Sequence, residues 1–192
     1  ADGVTLTVGA GAANQIDLDA ITGTAEGAVS SLTINSTGVV DVAEAVGTDI
    51  GTVTITNSGG TTFNSTVGAA TFTLTDTADA ATVSFLGNVT LSAGMTVSAL
   101  GRSDAFNVSL TGTTNSIAGA TTFFNTGTLT LGNGGTDATE FTGGVVATTQ
   151  TGATNGIVLN GDVTAAGTGV ITLGDTNTGI TVSGSGTVGG AS

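Results

Sequence analysis

The chain has 192 residues, one cation (Arg102) against 14 carboxylates for a net charge of −13, and no His, Cys, Trp, Tyr or Pro. Without His and Cys it lacks the commonest general base, the commonest metal ligand and the thiolate nucleophile, so most familiar active sites cannot be assembled from it. A single cation also excludes the clustered Lys and Arg on which nucleic-acid and anionic-membrane binding depend, and no apolar run reaches the roughly 18 residues of a membrane-spanning helix.

Low charge could signal disorder, but disordered chains are rich in Pro, Lys and Glu and poor in β-branched residues. Here Val, Ile and Thr recur throughout, which predicts many short strands separated by Gly, Asn and Asp turns. The opening "ADGVTLTV" has neither a basic n-region nor an apolar h-region, and reads as a mature terminus after signal removal or as an excerpt. Residues 1–50 are less regular. Within them "DVAEAVGTDI" (residues 41–50) reads as a short helix or as a strand with a loop, so this part is a cap or the start of a body that runs as one unit over residues 1–192.

From residue 51 the alternation is strict. "GTVTITNSGG" turns Val53 and Ile55 inward and Thr52, Thr54 and Thr56 outward before a Gly-rich turn. "TFTLT" does the same with Phe72 and Leu74, and "TLTL" with Leu129 and Leu131. The leading inward residues Leu32, Val53, Phe72, Leu91, Leu110 and Leu129 are spaced by 21, 19, 19, 19 and 19 residues. Two further steps of 21 reach Ile171 by way of Gln150, which is not apolar, so one rung is irregular. A second column, Phe63, Phe85, Phe106, Phe124 and Phe141, advances by 22, 21, 18 and 17 residues and uses five of the seven phenylalanines.

Columns of like residues at a near-constant step predict an all-β fold, a parallel β-helix (β-solenoid) with coils of about 20 residues. At about 4.8 Å per coil the chain would make roughly nine or ten coils and a rod roughly 45 Å long. The absence of Pro fits, because each internal strand needs its N–H for the ladder. The alternative, antiparallel β-sandwich domains, shares the composition but does not require the 19-residue steps.

Segments such as "GNVTLSAGMTVSAL", "GTLTLGNGG" and "GIVLNGDVTAAGTGVITLG" resemble the β-strand repeats of large bacterial exoproteins: filamentous-haemagglutinin-like adhesins, autotransporter passengers and surface-layer proteins. The resemblance covers most of the chain from about residue 51. It implies a secreted, extracellular or cell-surface β-helix with an adhesive or structural role and no catalysis. The family has no fixed site motif to carry over.

Few motifs offer chemistry. "GNGGTD" (residues 132–137) approximates the calcium-binding G-G-x-G-x-D repeat, which would make Asp137 a calcium ligand between coils. That roll needs adjacent copies and the chain has one, so a Gly-rich turn is the plainer expectation. "DLD" sets Asp17 and Asp19 on one face of a strand, a weaker calcium candidate, and "DTAD" sets Asp76 and Asp79 in a turn. Such pairs serve acid/base chemistry in glycosidases, but the aromatic and basic residues that grip a sugar are missing, and solvated acids are the default. No cofactor other than calcium enters these readings. Arg102, two residues before Asp104, reads as a turn ion pair or as an anchor for a neighbouring subunit's carboxylate. The sequons at Asn35, Asn64, Asn88 and Asn107 are no more than a Ser/Thr-rich chain produces by chance.

The expectation for function is therefore a non-catalytic structural solenoid that self-associates as a homo-oligomer or filament within a surface filament, adhesin stalk or surface layer. Ladders would continue across junctions by strand addition. The rival is a ligand-binding surface: a carbohydrate- or host-surface-binding adhesin, or an ice-binding array of outward Thr at Thr33, Thr54, Thr73, Thr90 and Thr128 or Thr130, with Ser109 interrupting. Neither nucleic acid nor membrane insertion is expected.

Overall fold

The fold is taken from a computed structural model that describes residues 2–24, 27–47, 49–98, 104–148, 156–176, 178–184 and 186–190. Among the described residues twenty-four short strands form three parallel sheets of eight. Each winding contributes one strand to each sheet, so the chain is a β-solenoid of about seven turns.

The first face comprises Thr5–Ala12, Ser30–Ser36, Ile50–Asn57, Thr71–Leu74, Met95–Val97, Thr121–Phe123, Val145–Ala147 and Ile171–Leu173. The second comprises Ile16–Leu18, Val40–Val42, Thr61–Phe63, Thr82–Phe85, Asn107–Leu110, Leu129–Leu131, Gly156–Leu159 and Gly179–Val182. The third comprises Ile21–Thr22, Val46–Gly47, Val67–Ala69, Val89–Leu91, Thr114–Ile117, Ala138–Phe141, Asp162–Ala165 and Val188–Gly190. No helix occurs among the described residues, and those within 41–50 belong to the strands Val40–Val42, Val46–Gly47 and Ile50–Asn57 or to the bends between them.

The coil is longer and less even than the sequence predicts. On the first face the in-register column Leu6, Leu32, Val53, Phe72, Met95, Thr121, Val145, Ile171 advances by 26, 21, 19, 23, 26, 24 and 26 residues, about 24 on average. Eight rungs about 4.8 Å apart give a rod roughly 34 Å long, shorter than the nine or ten coils expected from a 20-residue repeat.

Of the 19-residue steps, that from Val53 to Phe72 links true neighbours. The next two cross between faces, and the last stays on the second face but is two residues out of register, since Leu129 pairs with Val108. Leu91 lies on the third face beside Ala69 and Ile117, and Leu110 and Leu129 both lie on the second. Every face has its own inward apolar positions, so a fixed-length walk drifts from one face to the next whenever the turns change length.

The core is one continuous apolar stack. Leu32, Val53, Ile55, Phe72, Leu74, Leu91, Leu110, Leu129 and Leu131 are all buried, with Val53 and Ile55 lying between Leu32 and Ile34 on one side and Phe72 and Leu74 on the other. Phe63 and Phe85 stack face to face, and Phe72 meets Phe85 edge-on at 5.0 Å. Phe106 is buried just before the strand Asn107–Leu110, and Phe141 is buried on the third face. Phe124 departs from the expectation. Alternation through Thr121–Phe123 sends Phe123 into the core against Phe141 at 6.2 Å and leaves Phe124 half-buried outside.

Two polar features are built into this stack. Where the chain leaves the first face, buried polar residues recur from rung to rung: Ser36 ends its strand, and Ser58, Thr77, Ser98 and Asn125 follow theirs. Their polar atoms bond turn amides and neighbouring coils: Gly38 N donates to Ser36 Oγ, Gly60 N to Ser58 Oγ, and Asn125 Nδ2 to Phe106 O. On the third face Asn115 and Thr139 occupy core positions. Asn115 Oδ1 accepts from Val89 N, while Nδ2 donates to Gly112 O and Thr139 Oγ1.

Candidate functional site

In a β-helix, function sits on the outward columns, in the turns or at the end rungs, because the interior is filled. The turn acids are engaged in holding turns. Asp137 is buried, and its Oδ2 accepts from Asn133 N at 2.8 Å and Gly134 N at 2.9 Å. The sequence-predicted calcium turn is thus closed by its own carboxylate bonding its own backbone. Asp162 Oδ1 accepts both the amide and the hydroxyl of Thr187, each at 2.8 Å, and these bonds hold its carboxyl below the usual carboxylate range. Asp79 Oδ1 accepts from Ala105 N, and Asp104 Oδ2 from Ser98 Oγ.

Asp17 and Asp19 are exposed, Asp17 on the second face and Asp19 just beyond its strand. Asp17 lies in register with Asp41 one rung on, and each carboxylate accepts from a side-chain amide, Gln15 to Asp17 and Asn64 to Asp41. Among the described residues no three or more carboxylates gather as a metal-ligand set. Arg102 lies outside the described residues.

A depression of about 380 Å³ opens near the strand starts of the first face, where Gly51, Gly68, Ala69 and Ala70 present little side chain beside Val29, Asp49, Thr90 and Ser92. One carboxylate and two hydroxyls do not converge on a reacting atom there. Asp49 Oδ2 is itself sealed from solvent without a hydrogen bond.

The outward columns differ sharply from face to face. On the first, Thr7, Thr33, Thr54, Thr73, Thr96, Thr122, Val146 and Thr172 lie in unbroken register, Thr in seven of eight positions. Thr5, Ser31, Thr52 and Thr71 form a second column beside the first four. The matching column of the second face begins Asp17, Asp41, Thr62, Ser84, Ser109. That of the third includes Gly68, Thr90, Ser116, Glu140 and Thr164.

Three of the Thr positions read from the sequence, Thr33, Thr54 and Thr73, therefore share one column. Thr90 belongs to the third face, and Thr130 and Ser109 to the second, with Thr128 just ahead of a second-face strand. Thr7, Thr96, Thr122 and Thr172 were missed. Aligning the strands on their Thr-flanked apolar residues, without a fixed period, would have found them.

Hydroxyls at the edge of the first face are engaged: Thr52 and Thr71 Oγ1 atoms lie 3.0 Å apart, and Thr56 Oγ1 donates to Ile34 O. Those of Thr33, Thr54, Thr73, Thr96 and Thr122 make no hydrogen bond to another described residue. The eight strands of this face carry no ionisable side chain, whereas Asp17 and Asp41 lie in strands of the second face and Glu140 and Asp162 in strands of the third.

No protein-family model matches the chain, and neither does any curated protein or solved structure.

Proposed function

We propose that the chain is a non-catalytic structural solenoid of a secreted, surface-displayed assembly, a filament, adhesin stalk or surface layer of the filamentous-haemagglutinin-like kind, in which rungs extend a rod and join units. The observation that carries this reading is the continuous ladder, three parallel sheets of eight strands stacked in register around one apolar core.

Both extremes have the same three-sided cross-section and the same strand direction, with apolar residues at the inward positions. A further rung can settle on either with its backbone hydrogen bonds and columns in register. Stacking of the last rung on a first rung would set Thr172 over Thr7 and Thr181 over Asp17, so no like charges meet in those columns. The contact is head-to-tail and does not close, which produces rods and not discrete dimers.

Electron microscopy of the purified chain across a range of concentrations tests the proposal. Rods that lengthen with concentration support it, and particles of constant length at the highest concentration sink it. The rival, a carbohydrate- or ice-binding surface, rests on the Thr column of the first face. Glycan-array retention or thermal hysteresis by the monomer would favour it.

A further inference from the structure

We propose that the first face is a lateral pairing surface, against which the first face of a second copy of this chain packs. The inference rests on the structural reading above and says which side of the rod joins its neighbour. Two chains of charge −13 repel, and any lateral contact must avoid setting carboxylate against carboxylate. Of the three faces, only the first has strands free of ionisable groups, and it stays so along all eight rungs.

The chemistry of the column suits a copy of itself. A Thr side chain offers a methyl group for contact and a hydroxyl that both donates and accepts. The central hydroxyls have no partner among the described residues, so each can bond its counterpart across the interface without breaking such a bond. Because Thr fills seven of the eight positions from Thr7 to Thr172, sliding one rod past the other by a whole rung restores nearly the same contact. Two sheets facing each other in this way pack about 10 Å apart.

Area sets the strength. A face roughly 34 Å long and about 10–15 Å wide covers roughly 350–500 Å² per partner, below the about 800 Å² of a stable interface. A lone pair of chains therefore separates readily, and lateral pairing becomes firm only where rods are long enough for many rungs to engage at once. Salt screens the repulsion of the remaining faces and strengthens pairing.

The absence of Cys makes the test direct. Single cysteines are placed at Thr96→Cys on the first face and Ser116→Cys on the third, both exposed, and at Thr73→Cys on the first and Ser109→Cys on the second, both half-buried. Far-ultraviolet circular dichroism confirms folding of each. Under one oxidant and one protein concentration, the first-face cysteines should form disulfide dimers at least about tenfold faster than their matched controls, with the excess growing as salt rises. Thr73→Asp with Thr96→Asp should abolish side-by-side rods in micrographs.

Equal crosslinking from all faces would overturn the proposal, and so would thermal hysteresis or glycan retention by monomers that is lost in the double Asp variant. Rod length is read separately. Rods that lengthen without pairing defeat this inference alone, and first-face dimers without lengthening defeat the end-to-end reading alone.

Discussion

Phe63 and Phe85 lie one rung apart on the second face with ring centroids 5.1 Å apart and planes 9° from parallel. Phe72 on the first face closes the cluster edge-on to both. Three rings packed across two faces tie adjacent walls of the rod as well as adjacent rungs. Truncating Phe85 leaves a cavity that a filled solenoid interior cannot collapse around. Phe85→Ala is expected to cost about 3–5 kcal/mol, and a swap to Leu much less. Urea unfolding monitored by circular dichroism checks this, and a loss under about 1 kcal/mol for the Ala variant would show that the cluster does not anchor the stack.

Asn115 is a polar residue in an apolar column, and its amide serves three partners on three different turns or strands. Removing it orphans Val89 N and Gly112 O, each a loss of about 1–3 kcal/mol when buried. Asn115→Ala should therefore destabilise more than truncation of an equally sized apolar neighbour and speed hydrogen exchange at Val89. Unchanged exchange there would mean that water replaces the side chain. Since Asn115 Nδ2 donates to Thr139 Oγ1, Asn115→Ala and Thr139→Val should be non-additive in a double-mutant cycle.

The solenoid was legible in the sequence because alternation and Gly turns are local signals: Val53, Ile55, Phe72 and Leu74 face inward as their patterns require. Coil length was not, because it depends on turns that vary from rung to rung. Phe123 and Phe124 show the same limit at one residue. Both are Phe, and only the register of Thr121–Phe123 against Met95–Val97 decides which enters the core. Of the candidate surface, Thr33, Thr54 and Thr73 were readable because their coils happen to be 21 and 19 residues long. Thr96 and Thr122 follow steps of 23 and 26 and fell outside a fixed period.

Asp137 Oδ2 accepts from the backbone amides of Asn133 and Gly134 and closes its own turn. Asp137→Ala leaves those two donors without their acceptor and should cost about 1–3 kcal/mol, with or without calcium. Thermal unfolding of the unsubstituted chain should not move when calcium is added or chelated. A rise in melting temperature with calcium that Asp137→Ala removes would instead assign the turn to metal.

Asp162 gives the fold a pH-dependent clasp at the second-to-last rung. Its bonds from the Thr187 amide and hydroxyl favour the ionised form and lower its pKa in the folded chain. A depressed folded pKa adds stability that is present above the unfolded value and disappears as pH falls through the folded one. Asp162→Asn should thus be less stable than the unsubstituted chain at pH 7, with the gap shrinking steadily as pH falls below the ordinary carboxylate value. The carboxylate is solvent-exposed, so the gap should be small and confined to the Thr187 turn and the strand Val188–Gly190 that follows it. Hydrogen exchange at Thr187 measured at both pH values reads it directly, and a difference that persists unchanged into acid would rule out the charge as its source.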